Sequence, residues 1–283
     1  MQEVSTNMPA KDYHAYAALN KTAIEKLLRC PLEYKLDRDN PQEQTAPMAF
    51  GTLVHSVILE PETVAARYHV MQASATTKAG KAERAQAIEE GKTIVSATDF
   101  AKAQAMQARV YAHPAASWLL ALPGKSEVSM FWELQTEDGR NRQCKGRADR
   151  IAQVGNGEVI IDLKTTSGPV SPAELERTVA RFGYHRQAAW YCDGYERIAG
   201  KPCLGFYFIF ISTSAPYLVT AGKMGDEAQA IGWGDCLKAE KILHECEKSG
   251  KWPGYADQLV EFDVPAWIYK QAAEEMNIPE VPF

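Results

Sequence analysis

"GEVIIDLKTT", residues 157–166, places two opposite charges in a run that otherwise reads as a buried strand. Successive side chains of a strand alternate between its faces, so Asp162 and Lys164, two apart, emerge on the same side. The stretch before it, "GRADRIAQV" (146–154), is joined to it through "GNG" (155–157). Asn-Gly is a strong hairpin signal, because a type I′ turn needs positive φ at both central residues. With Asn156-Gly157 as the turn, Asp149 stands opposite Lys164 and Ile151 opposite Asp162; with Gly155-Asn156 as the turn, Asp149 stands opposite Asp162. Either two-residue register predicts Asp149, Asp162 and Lys164 on one face, whereas a three-residue turn sends Asp149 to the other.

A structural ion-pair network is the plain explanation for charges in a sheet. Here it must account for ions held beside "VII" and "FYFIFI", where burying each one is costly unless it is paired or binds a metal. Two close carboxylates repel one another, and one ammonium group cannot satisfy both. A divalent cation can. Hard oxygen donors with open water positions suit Mg²⁺ or Mn²⁺, ions that activate water and neutralise charge on a leaving phosphodiester oxygen.

With 283 residues, 46% of them hydrophobic and 24% charged, the chain is long and apolar enough to bury a sizeable core, which excludes the disordered and fibrous classes. The expectation is one globular domain over residues 1–283: a helical N-terminal part to about 125, a sheet core over about 126–222, and a C-terminal helix and edge segment over about 223–283. The first twenty residues lack an apolar core of signal-peptide length, and no window approaches a membrane span, so a cytoplasmic protein without membrane contact is expected. Six cysteines without any C-x-x-C pair read as reduced thiols. The net charge of −5 argues against broad, non-specific nucleic-acid binding but not against a local groove.

Apolar spacing predicts helices at about 20–29, 50–59, 98–111, 172–180, 184–199 and 225–249. Strands are predicted at "KSEVSMFWELQT", "NRQCKGRADRIAQV", "EVIIDLKTT" and "CLGFYFIFIST", with edge strands at "YLVTAG" (217–222) and "LVEFDVP" (259–265). The Ala-, Lys- and Glu-rich stretch 73–92 reads as a mobile loop or an exposed helix. Arg147 and Arg150, flanking Asp149, are assigned to the opposite face in structural roles.

"GRADR" followed by "IIDLKTT" resembles the core of the PD-(D/E)xK nucleases. "GTLVHSVILEPE" (51–62) is similar to the G-x-x-x-H helix of their RecB-like branch, "HRQAAWYCDGY" (185–195) to its Q-x-x-x-Y helix, and "LLRCPLEYKL" (27–36) to the Cys-Pro helix that opens many such domains. Taken in order, together with "CKGRADRI" and "WPGY" (252–255), the set looks most like the RecE exonuclease family and spans nearly the whole chain. The resemblance implies an α/β fold with a central mixed sheet flanked by helices and with helical additions at both ends. It implies His55, Asp149, Asp162 and the Leu163 carbonyl as metal ligands and Lys164 as the catalytic lysine. By itself a lone histidine on an apolar helix is more often a core residue, but Gly51, one turn earlier, leaves room for the helix to approach the sheet. An imidazole ligand favours Mn²⁺ more than an all-oxygen site does.

Glu127 matches an acid at a comparable place in the family and is assigned beside the metal; Glu133, Glu137 and Asp138 are assigned to solvent. Gln187 and Tyr191, four apart, share a helix face, and the resemblance brings them to the substrate; Tyr184 and Tyr195 complete an aromatic stripe of the kind that usually packs a core. Arg186 suits a phosphate contact, and Thr165 a phosphate or water. The family further implies a Mg²⁺- or Mn²⁺-dependent enzyme that degrades linear double-stranded DNA from 5′ to 3′. It would leave 3′ tails for an annealing partner of the RecT type and act as a ring-like homo-oligomer, with a tetramer expected. The rivals are a RecB-like nuclease of the CRISPR-adaptation type, which would need a four-cysteine iron–sulfur site, and a silent DNA-binding module.

Overall fold

The turn between the two charged stretches is Gly155-Asn156. Of the two, only Gly155 takes positive φ, at 56°, which is the pattern of a type II′ turn with glycine in its first central place rather than the type I′ turn that Asn-Gly suggests. Val154 therefore pairs with Gly157 and Arg150 with Ile161. These positions come from a computed structural model, which describes residues 3–6, 8–40, 45–74, 76–136 and 138–276.

The N-terminal part contains strand β1 (Glu3–Thr6) and helices α1 (Ala10–Ala15), α2 (Lys21–Arg29), α3 (Pro31–Asp39), α4 (Ala46–Leu59) and α5 (Val64–Arg67). After these come β2 (Tyr68–Val70), α6 (Lys78–Glu89), β3 (Thr93–Val95), α7 (Ala97–Ala112) and α8 (Pro114–Ala121). The central run is β4 (Gly124–Gln135), β5 (Asn141–Val154), β6 (Gly157–Thr166), α9 (Pro172–Phe182), α10 (Tyr184–Ala199), β7 (Cys203–Ser212) and β8 (Val219–Lys223). Helices α11 (Asp226–Ser249) and α12 (Ala266–Met276) follow. One mixed six-stranded sheet runs in the order β1-β4-β5-β6-β7-β8. Among the described residues of this sheet only β6 and β7 pair in parallel, across the α9 and α10 crossover; its other neighbours are antiparallel, and β2 and β3 form a separate parallel pair.

Both faces of the sheet are covered. Ile24 and Leu27 of α2, Trp190 of α10 and Leu243 of α11 pack with Met130, Trp132, Ile160 and Phe206 on one face. Leu53 and Val57 of α4 and Met106 of α7 pack with Ile161, Leu163 and Ile209 on the other. The alternation slips midway along two strands. In β4, Val128 joins the α10 side, yet the Ser126 hydroxyl, two residues earlier, donates to the Leu59 carbonyl of α4 on the far side. In β5, Ala148 and Ile151, three apart, share one core and Ala152 belongs to the other. A strict period of two cannot do this, so each strand carries a local distortion between those positions.

Two of the motifs meet far from the sheet centre. Pro253 of "WPGY" accepts hydrogen bonds from Leu32 N (3.1 Å) and from the Cys30 thiol (3.8 Å), while Trp252 lies 6.0 Å from the Tyr34 ring. The C-terminal tail thus closes over the Cys-Pro helix.

The structure differs from the sequence reading in several places. Residues 259–265 are irregular rather than an edge strand: alternation needs a partner ladder, and Val264 N instead bonds the Asp263 carboxylate at 2.8 Å. In the stretch 73–92 it is the exposed-helix alternative that holds: α6 is capped by Thr77 and anchored where Glu83 accepts from Gln72 N and Ala73 N. Helices α1, α5, α8 and α12 lie outside the predicted spans, whereas α3 takes up the Cys-Pro stretch; α8 begins with a proline at its first position, a start signal that a short apolar run concealed. Glu137 lies outside the described residues.

Candidate metal centre

Strands β5 and β6 pair from Val154 and Gly157 as far as Arg150 and Ile161, and there the ladder ends. One step further the register sets Asp149 level with Asp162, but the strands have begun to part. The Asp149 carboxylate fills the gap, its Oδ2 accepting from Leu163 N at 2.8 Å. Beyond this fork other partners take up the β5 backbone: Leu19 N donates to the Gln143 carbonyl, Lys145 N to the Leu19 carbonyl, and the Trp190 indole to the Lys145 carbonyl at 3.1 Å. The fork is wedged open by α10 and the segment before α2.

His55 and Glu127 arrive from either side. His55 Nδ1, on α4, is 3.4 Å from Asp149 Oδ2. Glu127 stands across β4 from Asp149 with φ of 51°, a left-handed conformation that costs a non-glycine residue on the order of 1 kcal/mol or more and is held by its surroundings. One donor atom from each of His55, Glu127 and Asp149 falls within 4.8 Å of the others. Gly51 contributes less than the sequence implies. A Cβ there would sit 3.6 Å from Thr165 Oγ1, an ordinary contact, so the helix could approach β6 with alanine in its place.

Asp162 adjoins this trio and is only 1% exposed. Gln187 Nε2 of α10 donates to its Oδ1 at 2.5 Å, and Lys164 Nζ lies 2.6 Å from Oδ2. The ammonium approaches off the hydrogen-bonding directions, so Oδ2 is a buried oxygen with a Coulombic neighbour but no directed bond. Burial pushes the Asp162 pKa up to about 6; Lys164 opposes this and Asp149 adds to it. Glu127 is pushed up to about 7, by burial first and by Asp149 second. The Lys164 pKa is raised as well: burial alone would lower it, but the carboxylates of Asp162 and Asp149 outweigh that and hold the ammonium charged. Carboxylates that burial and mutual repulsion drive toward protonation are ones a cation would ionise.

The donor set fits a divalent cation. Three carboxylates and one imidazole are hard or borderline donors suited to Mg²⁺ or Mn²⁺, and the buried Oδ2 of Asp162 has the Lys164 ammonium beside it but no well-directed hydrogen bond. In an extended strand the N–H and C=O of one residue leave the same edge, so the Leu163 carbonyl faces the side from which its N–H meets Asp149. The six cysteines do not gather into a four-ligand site; among the described residues the only cluster with metal-ligand spacing is His55, Glu127 and Asp149.

The remaining expected residues divide. Gln187 and Tyr191 come to the fork, Gln187 as a buried neighbour at 4% exposure and Tyr191 partly buried, its ring so close to Gly146 that a Cβ there would stand 3.0 Å from two of its carbons. Thr165 faces α4 beside Gly51. Arg186 turns away to α11, where its guanidinium pairs with Asp235 at 2.9 Å. Arg147 and Arg150 do not share a face. Arg150 donates to Ser126 Oγ and the Leu122 carbonyl, whereas Arg147 binds Ser129 Oγ and the Met8 carbonyl and lies over the Tyr13 ring. At two residues from Asp149, strand alternation does not put Arg147 opposite it. Glu133 and Asp138 stand away from the cluster, bonded to Gln143 and Arg140.

One group the sequence reading passed over is Lys21. Its ammonium lies 5.3 Å from the Tyr184 ring centroid, and that of Lys164 lies 5.0 Å from the same centroid. Its signal was legible: a lysine at the first position of a helix opposes the helix dipole.

A family profile described as "PDDEXK-like domain of unknown function (DUF3799)" matches residues 21–262. The chain belongs to that family. The matched span includes every strand of the fork, α4 and α10, so the acids, His55 and Lys164 all fall inside the DUF3799 domain. A crystal structure from Eubacterium rectale, described as a "Putative exonuclease", superposes with a TM-score of 0.62 at 13% identity, covering 95% of this chain and 99% of that one. At that identity the likeness establishes the fold. A second structure, of SSO0001, aligns at 12% identity over 83% of this chain and 81% of the other, with a TM-score of 0.36, too low to argue from. A comparison with curated proteins finds no match. No helix among the described residues is long and apolar enough to cross a membrane.

Proposed function

We propose that this DUF3799 protein is a divalent-metal-dependent exodeoxyribonuclease of the RecE type, acting on linear double-stranded DNA. The observation that carries the reading is the fork itself, where His55, Glu127 and Asp149 converge within 4.8 Å beside a buried Asp162 whose Oδ2 lacks a directed bond. His55, Asp149, Asp162 and the Leu163 carbonyl would hold the ion, with Glu127 as an additional acid. When bound, Mg²⁺ or Mn²⁺ supplies charge neutralisation at the phosphoryl oxygens and an acidified water.

The protein's own groups then have distinct tasks. Lys164, kept charged by Asp162, faces the reacting phosphate, where it orients the incoming water and stabilises charge on the phosphoryl oxygen. Gln187 fixes Asp162 through Oδ1 and leaves Oδ2 turned to the site. Hydrolysis adds one water across a P–O bond and releases a nucleotide and a shortened strand. Thr165 and Tyr191 flank the path of that strand. Polarity from 5′ to 3′, a ring-shaped homo-oligomer such as a tetramer, and delivery of 3′ tails to an annealing protein of the RecT type complete the proposal on the strength of the motif resemblance.

Digestion of end-labelled linear duplex beside its covalently closed circular form, with Mg²⁺, Mn²⁺ or EDTA, tests it. Mononucleotides should leave linear ends only, in the presence of metal, and Asp162→Asn should lower the rate at least 100-fold. Equal cutting of the circle rejects an exonuclease. Hydrolysis that survives EDTA or Asp162→Asn rejects this centre.

A further inference from the structure

The fork accounts for Lys164 but not for what surrounds its outer side. Tyr184 opens α10 immediately after Gly183, whose φ of 63° ends α9 and turns the chain. Below, the Tyr184 ring rests on Phe208 and Phe210 at 5.6 and 5.9 Å. Two ammonium groups, Lys164 and Lys21, lie 5.0 and 5.3 Å from its centroid. On the other side of the corner, Phe182 stacks on Tyr184 at 5.8 Å with the ring planes 22° apart. Phe182 is 48% exposed, and the Arg181 guanidinium lies 5.5 Å from its ring.

This row has features that core packing does not explain. Phe182 ends its helix with an aromatic face in water, at a corner held rigidly from beneath. The Arg186 guanidinium fills the space a Cβ at residue 183 would need, and it is pinned in turn to Asp235. Lys21 stands at the first position of α2, where the helix dipole disfavours a cation. It pairs with Glu25 four residues later at 2.8 Å, the less favourable order of charges on a helix. The contact is an ion pair without a well-directed hydrogen bond, so the three donors of the ammonium are not consumed by Glu25. Lys164 and Lys21, each with one carboxylate beside it, meet at one ring next to an exposed aromatic and a third cation, an arrangement suited to an anion that carries flat apolar groups. A single nucleic-acid strand has that chemistry.

We propose that the α9–α10 corner is a stacking platform for a nucleobase of single-stranded DNA, adjacent to the reacting phosphate, with Phe182 receiving the base and Lys21 and Arg181 the flanking phosphates. It rests on the nuclease reading for its place along the substrate, since Lys164 joins the platform to the fork. The base takes the position over Phe182 that Arg181 now occupies, and the guanidinium moves to the phosphate. A duplex end that reaches Lys164 must then fray by one base to be held there, so the platform selects ends and single-stranded overhangs over intact duplex.

The test is titration of single-stranded oligodeoxynucleotides carrying 2-aminopurine with the full-length protein in EDTA, where no hydrolysis competes. Wild type should quench the fluorophore on binding. Phe182→Ala should abolish the quench and weaken binding about 10-fold, and Phe182→Tyr should restore both. Lys21→Met should flatten the slope of log K against log salt by about 0.7, one phosphate contact. Because Phe182 is exposed, its truncation leaves the core intact, which matching melting curves would verify. Quenching and affinity unchanged in Phe182→Ala, or no binding by wild type, overturn the platform. The readout separates it from the nuclease reading. Binding that depends on Phe182 without any metal-dependent hydrolysis keeps the platform and rejects the nuclease, and hydrolysis with an inert Phe182 does the reverse.

Discussion

Glu127 and Gln187 show how single side chains set the state of the centre. The Glu127 pKa rises from 4.5 to about 7 because folding removes it from water and sets it beside Asp149. Below pH 4.5 both folded and unfolded chains hold its proton. Between 4.5 and 7 only the folded chain does, so metal-free stability falls as pH rises through that window and stays low above it. In EDTA, thermal melts of wild type should therefore drop between pH 5 and 7.5. Glu127→Gln should flatten part of that drop and be more stable than wild type at pH 8 by roughly 2 kcal/mol. Equal slopes for the two proteins would contradict this assignment. Gln187 acts on the reaction only through Asp162. Gln187→Ala should lower kcat for DNA hydrolysis by about 10- to 100-fold with little change in KM, and steady-state kinetics that show a KM effect instead would make Gln187 a substrate contact.

At the scale of elements, α10 does more than cover the sheet. It keeps β5 and β6 apart, and small residues are what let it come so close. A Cβ on Gly194 would lie 2.7 Å from the ring of Trp132, a fully buried side chain. Gly194→Ala should destabilise by about 1–3 kcal/mol in urea unfolding, since an overpacked core must shift. Trp132 and Trp190, 5.1 Å apart, would shift first, and intrinsic fluorescence should report it. A neutral result would mean that the helix–sheet contact is looser than these distances indicate. Lys145 closes the same region from the other side. It is 3% exposed and donates to the carbonyls of Tyr13, His14 and Tyr16, tying the N-terminal segment to the strand that carries Asp149.

At the scale of the whole molecule, the two chain ends behave differently. The N-terminal helices supply Lys21 and His55 and are built into both cores. Residues 256–276 are not: Leu259 and Phe262 are almost fully exposed and Trp267 is 64% exposed, and the hydrogen bonds at Val264 N and Ile268 N stay within this segment. Deleting residues 256–283 should leave the melting temperature within about 2 °C of the full chain. Deletion from residue 251 onward, which also removes the Trp252 and Pro253 contacts to α3, should lower it clearly. A large loss from the shorter deletion would show that the tail packs on the body.

Local rules were enough for the hairpin, the four long strands, the central helices and the shared face of Asp162 and Lys164, because periodicity and turn chemistry act within a few residues. They also left two registers open, and Gly155 settled that choice only through its backbone conformation. Glu127 was legible as a candidate from its place before the hairpin, but not its distance from Asp149, which depends on a distortion in β4. Helical spacing puts Gln187 on one face with Tyr191 and the motif resemblance assigns it to the substrate; only the packed sheet shows that its amide ends on Asp162. The sequence by itself determined which groups carry charge into the sheet. The tertiary structure alone decided that they meet where two strands part, because the wedge that parts them comes from α10 and from the segment before α2, elements distant in the chain whose approach no local pattern encodes.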